Sequence, residues 1–187
     1  MHLEKVPGTV LPLDEYAEGT FGSIEPALRL SGGFSLSQVC SLTGLEPTTI
    51  QNWIKRGWVA KPVNKKYAER QISRILIINA LRDALSLEQI VGLLARINGS
   101  VEDKSDDIIA ESKLFDCLCK GMKRICASAD VSDDSFRRVS ELLLEDFSGT
   151  DSGKELLKES LRAMMTACCA ALLKKESDAL IRNVQVK

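Results

Sequence analysis

The sequence has little of three things: aromatic side chains, long apolar runs and net charge. Aromatic residues make up 5% of its 187 residues, which disfavours a large β-sandwich and suits a helical protein with a core of Leu, Ile and Ala. No segment holds the ~18 consecutive apolar residues that a membrane span needs, and the N-terminus lacks the apolar core of a signal peptide. We therefore expect a globular cytoplasmic protein with no membrane partner.

Catalytic groups are also scarce. The only histidine is His2, so no Ser-His or Cys-His pair can be assembled. The segment "SGTDSGKE" has too few residues between its glycines for a phosphate-binding loop, and no strand precedes it. Four acidic residues are interpreted as helix-start and surface charges: Asp103, Asp106, Asp107 and Glu111. We expect no enzyme activity, no catalytic site and no cofactor.

The six cysteines lie within apolar helical patterns, which predicts reduced thiols packed in a core. Cys117-x-Cys119 with Cys126, and the pair Cys168-Cys169, lack the C-x₂-C spacing of structural zinc sites. Adjacent cysteines on a helix also point to different faces. We expect no metal site.

Charge is segregated along the chain although the net charge is −1. Residues 1–33 and residues 101–187 each carry a net charge of −3, whereas residues 48–74 hold seven basic side chains against one acidic one. These basic residues are Lys55, Arg56, Lys61, Lys65, Lys66, Arg70 and Arg74. Taken alone, such a run indicates a solvated surface; beside a nucleic-acid-binding motif it indicates phosphate contacts.

Helix signals begin after the first 33 residues, which contain three prolines and five glycines. These residues predict an irregular arm packed on the rest of the chain, with a helical turn near "IEPALRL". Ser35 and Gln38 have capping-box spacing, and the first helix ends at Gly44. A second helix opens at Pro47 and closes at Gly57. The connection of about three residues between them is typical of a helix-turn-helix.

The remaining segments are predicted to be helical, apart from "WVAKPVNKKY", which Pro62 and Asn64 make a short β-ribbon or loop. A third helix covers "AERQISRILIINALRDAL", with a mostly apolar stripe. A fourth begins at the capping box Ser86-x-x-Gln89. The last helix is predicted over residues 152–182, opened by the box Ser152-x-x-Glu155.

Residues 34–98 resemble the DNA-binding domain of MerR-type regulators. The matching motifs are Leu42-Thr43-Gly44, Pro47, Thr49-Ile50, Gly57-Trp58-Val59, Lys65-Lys66-Tyr67, Leu81-Arg82-Asp83 and Ser86-Leu87-Glu88-Gln89-Ile90. Two features depart from that pattern: Gln51-Asn52-Trp53 stands where the family has Arg-Tyr-Tyr, and the wing is shorter. More narrowly, the phrases "LEPTTIQNW" and "PVNKKY" are similar to an uncharacterised bacterial family, domain of unknown function 1836, which has no assigned activity.

The predicted fold class is mainly all-α, in three parts. Residues 1–33 form the irregular N-terminal arm. Residues 34–100 form a MerR-like winged helix-turn-helix domain with a very short β wing, as the resemblance implies. Residues 101–187 form an all-helical dimerisation or effector domain.

The resemblance implies a transcriptional regulator that places helix 47–56 in the major groove of double-stranded DNA and its basic wing 61–67 on the backbone. Amides of Gln51 and Asn52 can pair with adenine edges, while basic side chains neutralise phosphates and Tyr67 donates its hydroxyl to one. The predicted DNA-binding residues are Thr48, Thr49, Gln51, Asn52, Lys55, Arg56, Lys61, Asn64, Lys65, Lys66 and Tyr67. Trp53 is predicted to be a core residue, and Trp58 and Tyr67 are open between core and surface.

Two other hypotheses remain. One is a helical protein-interaction module that has kept the fold and lost DNA binding, which Gln51 in place of arginine favours. The other is a sensor with an effector pocket in residues 101–187. A single helix-turn-helix reads few base pairs, so the regulator hypothesis predicts a homodimer. Helix 152–182 is a candidate for the dimer contact, through a stripe that could instead pack within the chain: Leu156, Leu157, Leu161, Met164, Met165, Leu172 and Leu173.

Overall fold

The computed structural model describes residues 3–12, 20–101, 103 and 105–185, and it is mainly all-α, as predicted. The helices are α1 Thr20–Ser31, α2 Leu36–Thr43, α3 Pro47–Lys55, α4 Glu69–Leu81, α5 Leu87–Asn98, α6 Glu111–Ser128, α7 Asp133–Leu143 and α8 Asp151–Gln185. Within these described ranges, extended pairing is confined to three isolated bridges. No described helix is both long and apolar enough to cross a membrane. His2 lies outside the described residues.

The ends of α2 and α3 follow the predicted signals. The Ser35 hydroxyl accepts a hydrogen bond from the Gln38 backbone N–H, and the Gln38 side chain accepts one from the Ser35 N–H. Gly44 ends α2 in the left-handed conformation, with φ of 72°, and Pro47 occupies the first turn of α3. Because both ends are fixed by local chemistry, the connection between the two helices is short and well defined.

The N-terminal segment is more regular than predicted, because residues 20–31 form a 12-residue helix with Pro26 inside it. An interior proline costs a helix about 3 kcal/mol. Here the helix buries Phe21, Ile24 and Leu28, spaced on one face, and it packs against α4 and α6. Pro26 itself is exposed. Burial of this face against α4 and α6 therefore outweighs the unfavourable helix propensity of Pro26.

Helix α4 lies at the centre of the molecule, in contact with α1, α2, α5, α6 and α8. Every residue from 71 to 78 is buried, so the helix is covered all round rather than along the single stripe that was predicted. Helix α6 packs in turn against α1, α4, α7 and α8. Residues on both sides of position 100 thus share one continuous cluster of buried side chains. The division into domains at residue 100 stays a prediction.

Helix α8 begins one residue earlier than predicted, and Thr150 is its N-cap instead of Ser152. The Thr150 hydroxyl accepts a hydrogen bond from the Gly153 N–H at 3.1 Å. The predicted dimer stripe is divided: some of its members are fully buried within the chain, namely Leu157, Leu161, Met164 and Met165, whereas Leu173 is 48% exposed. The buried part packs α8 onto α4, α5, α6 and α7.

All six cysteines are free; Cys119, Cys168 and Cys169 are buried as predicted, whereas Cys40, Cys117 and Cys126 are only half-buried. Burial raises the pKa of Cys168 to about 12 and that of Cys169 to about 11. These thiols are therefore protonated near neutral pH and unreactive as nucleophiles.

Candidate nucleic-acid interface

Helix α3 separates its apolar and polar side chains onto two faces. Ile50 and Trp53 are buried, with 0% and 3% of their surfaces exposed, which confirms Trp53 as a core residue. The other face is polar; Thr49 is half-buried there, and the exposed residues are Thr48, Gln51, Asn52, Lys55 and, at the helix end, Arg56. The apolar face fixes the helix on the core and leaves its hydrogen-bonding groups open to a partner.

A groove of about 710 Å³ runs between α3 and the start of α5. It brings together four of the predicted site residues, whereas the predicted wing residues lie apart on the hairpin described below. The groove is lined by Thr49, Asn52, Trp53, Lys55, Arg56, Trp58, Leu87 and Glu88. Glu88 is acidic and opposes the two basic side chains, so the groove is mixed in charge.

Trp58 supports Arg56 at one end of this groove. The guanidinium carbon of Arg56 lies 5.0 Å from the centre of the Trp58 ring, a cation–π geometry worth about 0.5–1 kcal/mol at an exposed site. The Trp58 backbone is held on both sides, because its N–H donates to the Trp53 carbonyl at 2.9 Å and its carbonyl accepts from Arg74 Nε at 2.7 Å. Trp58 is therefore half-buried and fixed, and it orients Arg56.

The predicted wing is a two-residue hairpin. Val63 and Lys66 exchange backbone hydrogen bonds of 3.1 and 2.8 Å, and the two residues between them, Asn64 and Lys65, have φ of 50° and 60°. Positive φ at both central positions is the type I′ pattern, in which Asn-Gly is the favoured pair. Lys65 occupies the turn position that favours glycine, and a left-handed backbone there is unfavourable for lysine. The exposed side chain places an ammonium group at the tip of the hairpin.

The Lys65 conformation gives a first prediction. Replacing Lys65 with glycine should stabilise the protein by about 0.5–1 kcal/mol, because the left-handed cost of a side chain exceeds the entropic cost of glycine. Urea unfolding of this variant and of Lys65→Gln measures the difference, since glutamine removes the charge and keeps the strained backbone. Equal stability of the two variants would contradict the assignment of strain to this residue.

Tyr67 belongs to the core rather than to the surface. It is 3% exposed, and its backbone pairs with Phe34 through hydrogen bonds of 2.7 and 2.9 Å. Burial raises the pKa of its hydroxyl. The hairpin thus ends by entering the core, and we leave the Tyr67 hydroxyl out of the exposed contact surface.

Two of the seven basic residues counted in the sequence are not surface charges. Arg74 is 1% exposed and forms an ion pair with Glu111, which is also buried. Arg70 pairs with Asp107 at 3.0 Å and donates to the backbone carbonyls of Ser100 and Asp103. The exposed or half-exposed cations of this region that form no ion pair with another described residue are therefore Lys55, Arg56, Lys61, Lys65 and Lys66.

Glu111 was interpreted from the sequence as a helix-start and surface charge. It is the first residue of α6, as interpreted, but it is buried and not at the surface. Burial raises the pKa of its carboxyl, while the charge of Arg74 opposes the rise. One sequence signal points to this pair: Arg74 stands inside the run "ISRILII", where both neighbouring turns are buried. A cation in such a run needs a buried acidic partner, although the sequence does not say which.

The part of the chain that contains the groove and the hairpin is similar to known proteins. Residues 34–117 match the model of a family described as "Domain of unknown function (DUF1836)". "Uncharacterized protein YkrK" of Bacillus subtilis (strain 168) is 35% identical over 79 residues, which make up 40% of this chain and 34% of that protein. The match thus spans about a third of that relative's length. No solved structure matches the chain. These findings support the resemblance to the uncharacterised family for residues 34–117, and neither description gives a function.

Proposed function

We propose that this protein is a DNA-binding transcriptional regulator with a MerR-like winged helix-turn-helix. The observation that carries the proposal is that α3 has a buried apolar face and an exposed polar face. Helix α3 follows α2 after a short turn, and a hairpin with Lys65 and Lys66 follows α3. Five cations in this region are exposed or half-exposed and form no ion pair with another described residue. In such an arrangement the cations can contact the phosphates of DNA while the polar face of α3 contacts base edges in the major groove.

In this proposal α3 enters the major groove and the hairpin lies on the adjacent backbone. Gln51 and Asn52 are exposed on α3 and carry the amide groups that can contact adenine N6 and N7 together. Lys61, Lys65 and Lys66 neutralise phosphates, which gives affinity and salt dependence rather than sequence preference. The Trp58 ring orients Arg56. Arg56 therefore loses less conformational entropy on contacting DNA than a lysine with a flexible side chain would lose.

A second candidate function is protein interaction without DNA binding. Glu88 favours it, because a carboxylate in the groove repels phosphate and is matched by a basic side chain on a protein partner. Gln51 in the position where MerR-type helices carry a phosphate-contacting arginine favours it as well.

The test is a salt series with selected and random duplex DNA. We expect a palindromic site to be selected, with a salt dependence equivalent to about 4–8 phosphates. The variant Lys65→Ala/Lys66→Ala should reduce that slope, and Glu88→Gln should increase affinity, because it removes the carboxylate from the groove. The matched control is Arg137→Ala/Arg138→Ala, which removes two adjacent exposed cations from α7 and should leave binding unchanged.

The two candidate functions give opposite results in this experiment. Absence of binding at about 50 mM salt by folded protein, or an equal loss in the α7 control, would overturn the regulator proposal.

A further inference from the structure

We propose that the groove between α3 and α5 binds a short peptide with free ends, and that this ligand excludes DNA. The groove has a volume of about 710 Å³, within the range of about 300–1,000 Å³ that holds a drug-sized ligand. A peptide of about three residues is a ligand of this size. Its carboxylate contacts Lys55 and Arg56, its amino group contacts Glu88, and its apolar side chains lie on the floor of the groove.

The charged side chains of the groove lie on two opposite walls. Lys55 and Arg56 come from the C-terminal end of α3, whereas Glu88 comes from the first turn of α5. All three side chains are exposed, and among the described residues none of them forms an ion pair, not even with one another. The groove is therefore positive on one wall and negative on the other, which is the charge pattern that a zwitterion complements.

The floor between these two walls is apolar. It is formed by Trp53, which is buried, and by Trp58 and Leu87, which are half-buried. The backbone of Trp58 is held by hydrogen bonds on both sides, so the floor is already in place before a ligand binds. Apolar side chains gain free energy by leaving water for such a floor, whereas sugars and phosphates do not. The floor therefore favours a ligand with an apolar body between its two charged ends.

Duplex DNA is a poor complement to this groove. A helix in the major groove presents its outward, convex side to the base edges, and on α3 that side carries Thr48 and Gln51, which are exposed and do not line the groove. Asn52 and Arg56, one turn apart, face the start of α5 and line the concave side. The carboxylate of Glu88 repels phosphate there. The concave side of α3 therefore suits a ligand of different chemistry.

The peptide and DNA share part of their binding surface. Asn52, Lys55 and Arg56 line the groove and are also among the predicted DNA contacts. A peptide carboxylate bound to the two cations neutralises charges that would otherwise contact phosphates, and the peptide fills the space beside α3. Peptide binding and DNA binding are therefore mutually exclusive. This competition rests on the proposed function, whereas the binding of the peptide does not.

Titration of the whole protein with tripeptides, followed by tryptophan fluorescence and by equilibrium dialysis, tests the proposal. The chain contains two tryptophans, and both line the groove, so their emission reports on this site. The probes are tripeptides of alanine, leucine and phenylalanine with free ends. We expect at least one of them to bind with a dissociation constant below about 100 μM. Its N-acetylated and C-amidated forms should each bind at least about 10-fold more weakly, because each lacks one charged end.

The variant Glu88→Gln tests the contact with the amino group. It should weaken binding of the free tripeptide about 10-fold and leave binding of the N-acetylated form unchanged, because that form has no ammonium group. The matched control is Glu141→Gln, which makes the same change at an exposed position on α7 and should bind as the unaltered protein does. Absence of binding at about 1 mM tripeptide, or equal binding of the free and acetylated forms, would overturn the proposal. Equally tight binding of free leucine or phenylalanine would overturn the assignment to a peptide.

A competition measurement tests the exclusion of DNA. At about ten times its dissociation constant, the tripeptide should weaken binding to the selected duplex about 10-fold, and Glu88→Gln should relieve most of this effect. Unchanged affinity for DNA in the presence of saturating peptide would overturn the exclusion. Because the titration contains no DNA, a protein that binds the peptide but no DNA would leave the groove site standing and reject only the proposed function.

Discussion

Replacing Glu111 with glutamine is expected to reduce the free energy of unfolding by about 3–5 kcal/mol, although the two side chains have nearly the same shape. The guanidinium of Arg74, 1% exposed, would then lie in the core without a counter-charge. Removing one partner of a buried ion pair typically costs this much, since the remaining charge keeps its desolvation penalty. Urea unfolding at neutral pH measures the loss.

The reciprocal change, Arg74→Met, should be equally costly at neutral pH but should depend on pH. Without Arg74, the charge of Arg70 is all that still opposes the burial that raises the pKa of Glu111. The unfolded chain releases the Glu111 proton near pH 4.3, whereas the folded variant retains it to higher pH. The folded state then binds more protons, so stability falls as pH rises above about 4.3, more steeply than in the unaltered protein.

The double variant Arg74→Met/Glu111→Leu is the control for this pair. It removes both charges and fills the space with apolar atoms, so it should be more stable than either single variant. The difference between the double variant and the sum of the two single variants gives the coupling energy between Arg74 and Glu111. This energy is distinct from the general effect of altering the core. Strictly additive losses, or a Glu111→Gln variant as stable as the parent, would contradict the assignment of a buried ion pair.

Gly8→Ala is expected to have the second largest effect. A Cβ atom at this position would lie 2.2 Å from the carbonyl oxygen of Leu76 and 3.1 Å from the Ala80 nitrogen, both in the backbone of α4. The residue also has φ of 73°, which alone costs an alanine about 1–2 kcal/mol. Since α4 cannot yield, the segment 3–12 must move away.

Displacement of segment 3–12 breaks specific contacts. The Gly8 carbonyl would lose the hydrogen bond from Asn79 Nδ2, at 2.9 Å, and the buried side chains of Leu3 and Val6 would be exposed. We expect a total loss of about 2–4 kcal/mol and faster proteolysis within the first 20 residues. Gly22→Ala, in α1 with open space around it, is the control and should not destabilise. Comparable unfolding midpoints for the two alanine variants would show that the segment does not dock tightly on α4.

Local chemistry made much of this fold predictable. Ser35, Gly44 and Pro47 mark helix ends through groups within four residues of each other, so their signals are readable without a structure. The polar and apolar faces of α3 followed from spacing for the same reason. Pro62 and Asn64 predicted a short β-ribbon or loop after α3, and a two-residue hairpin lies there.

What the sequence did not reveal depends on distant contacts. Helix α1 forms in spite of Pro26 because α4 and α6 pack against one of its faces. The sequence of residues 20–31 alone does not indicate this packing. Arg74 and Glu111 are 37 positions apart, so charge counting treated both as surface residues. Tyr67 was open between two environments, and its pairing with Phe34 across more than 30 residues places it inside.

Arg74 also joins the end of the groove directly to the start of α6. One guanidinium group holds the carbonyl of Trp58 at the end of the groove and the carboxylate of Glu111 at the start of α6. Movement of α6 therefore alters the backbone that supports the stack of Trp58 and Arg56, without any rearrangement of α3 itself. If a displacement of α6 changes how Arg56 binds a partner, thermodynamic reciprocity requires that the partner shift the position of α6 by the same free energy.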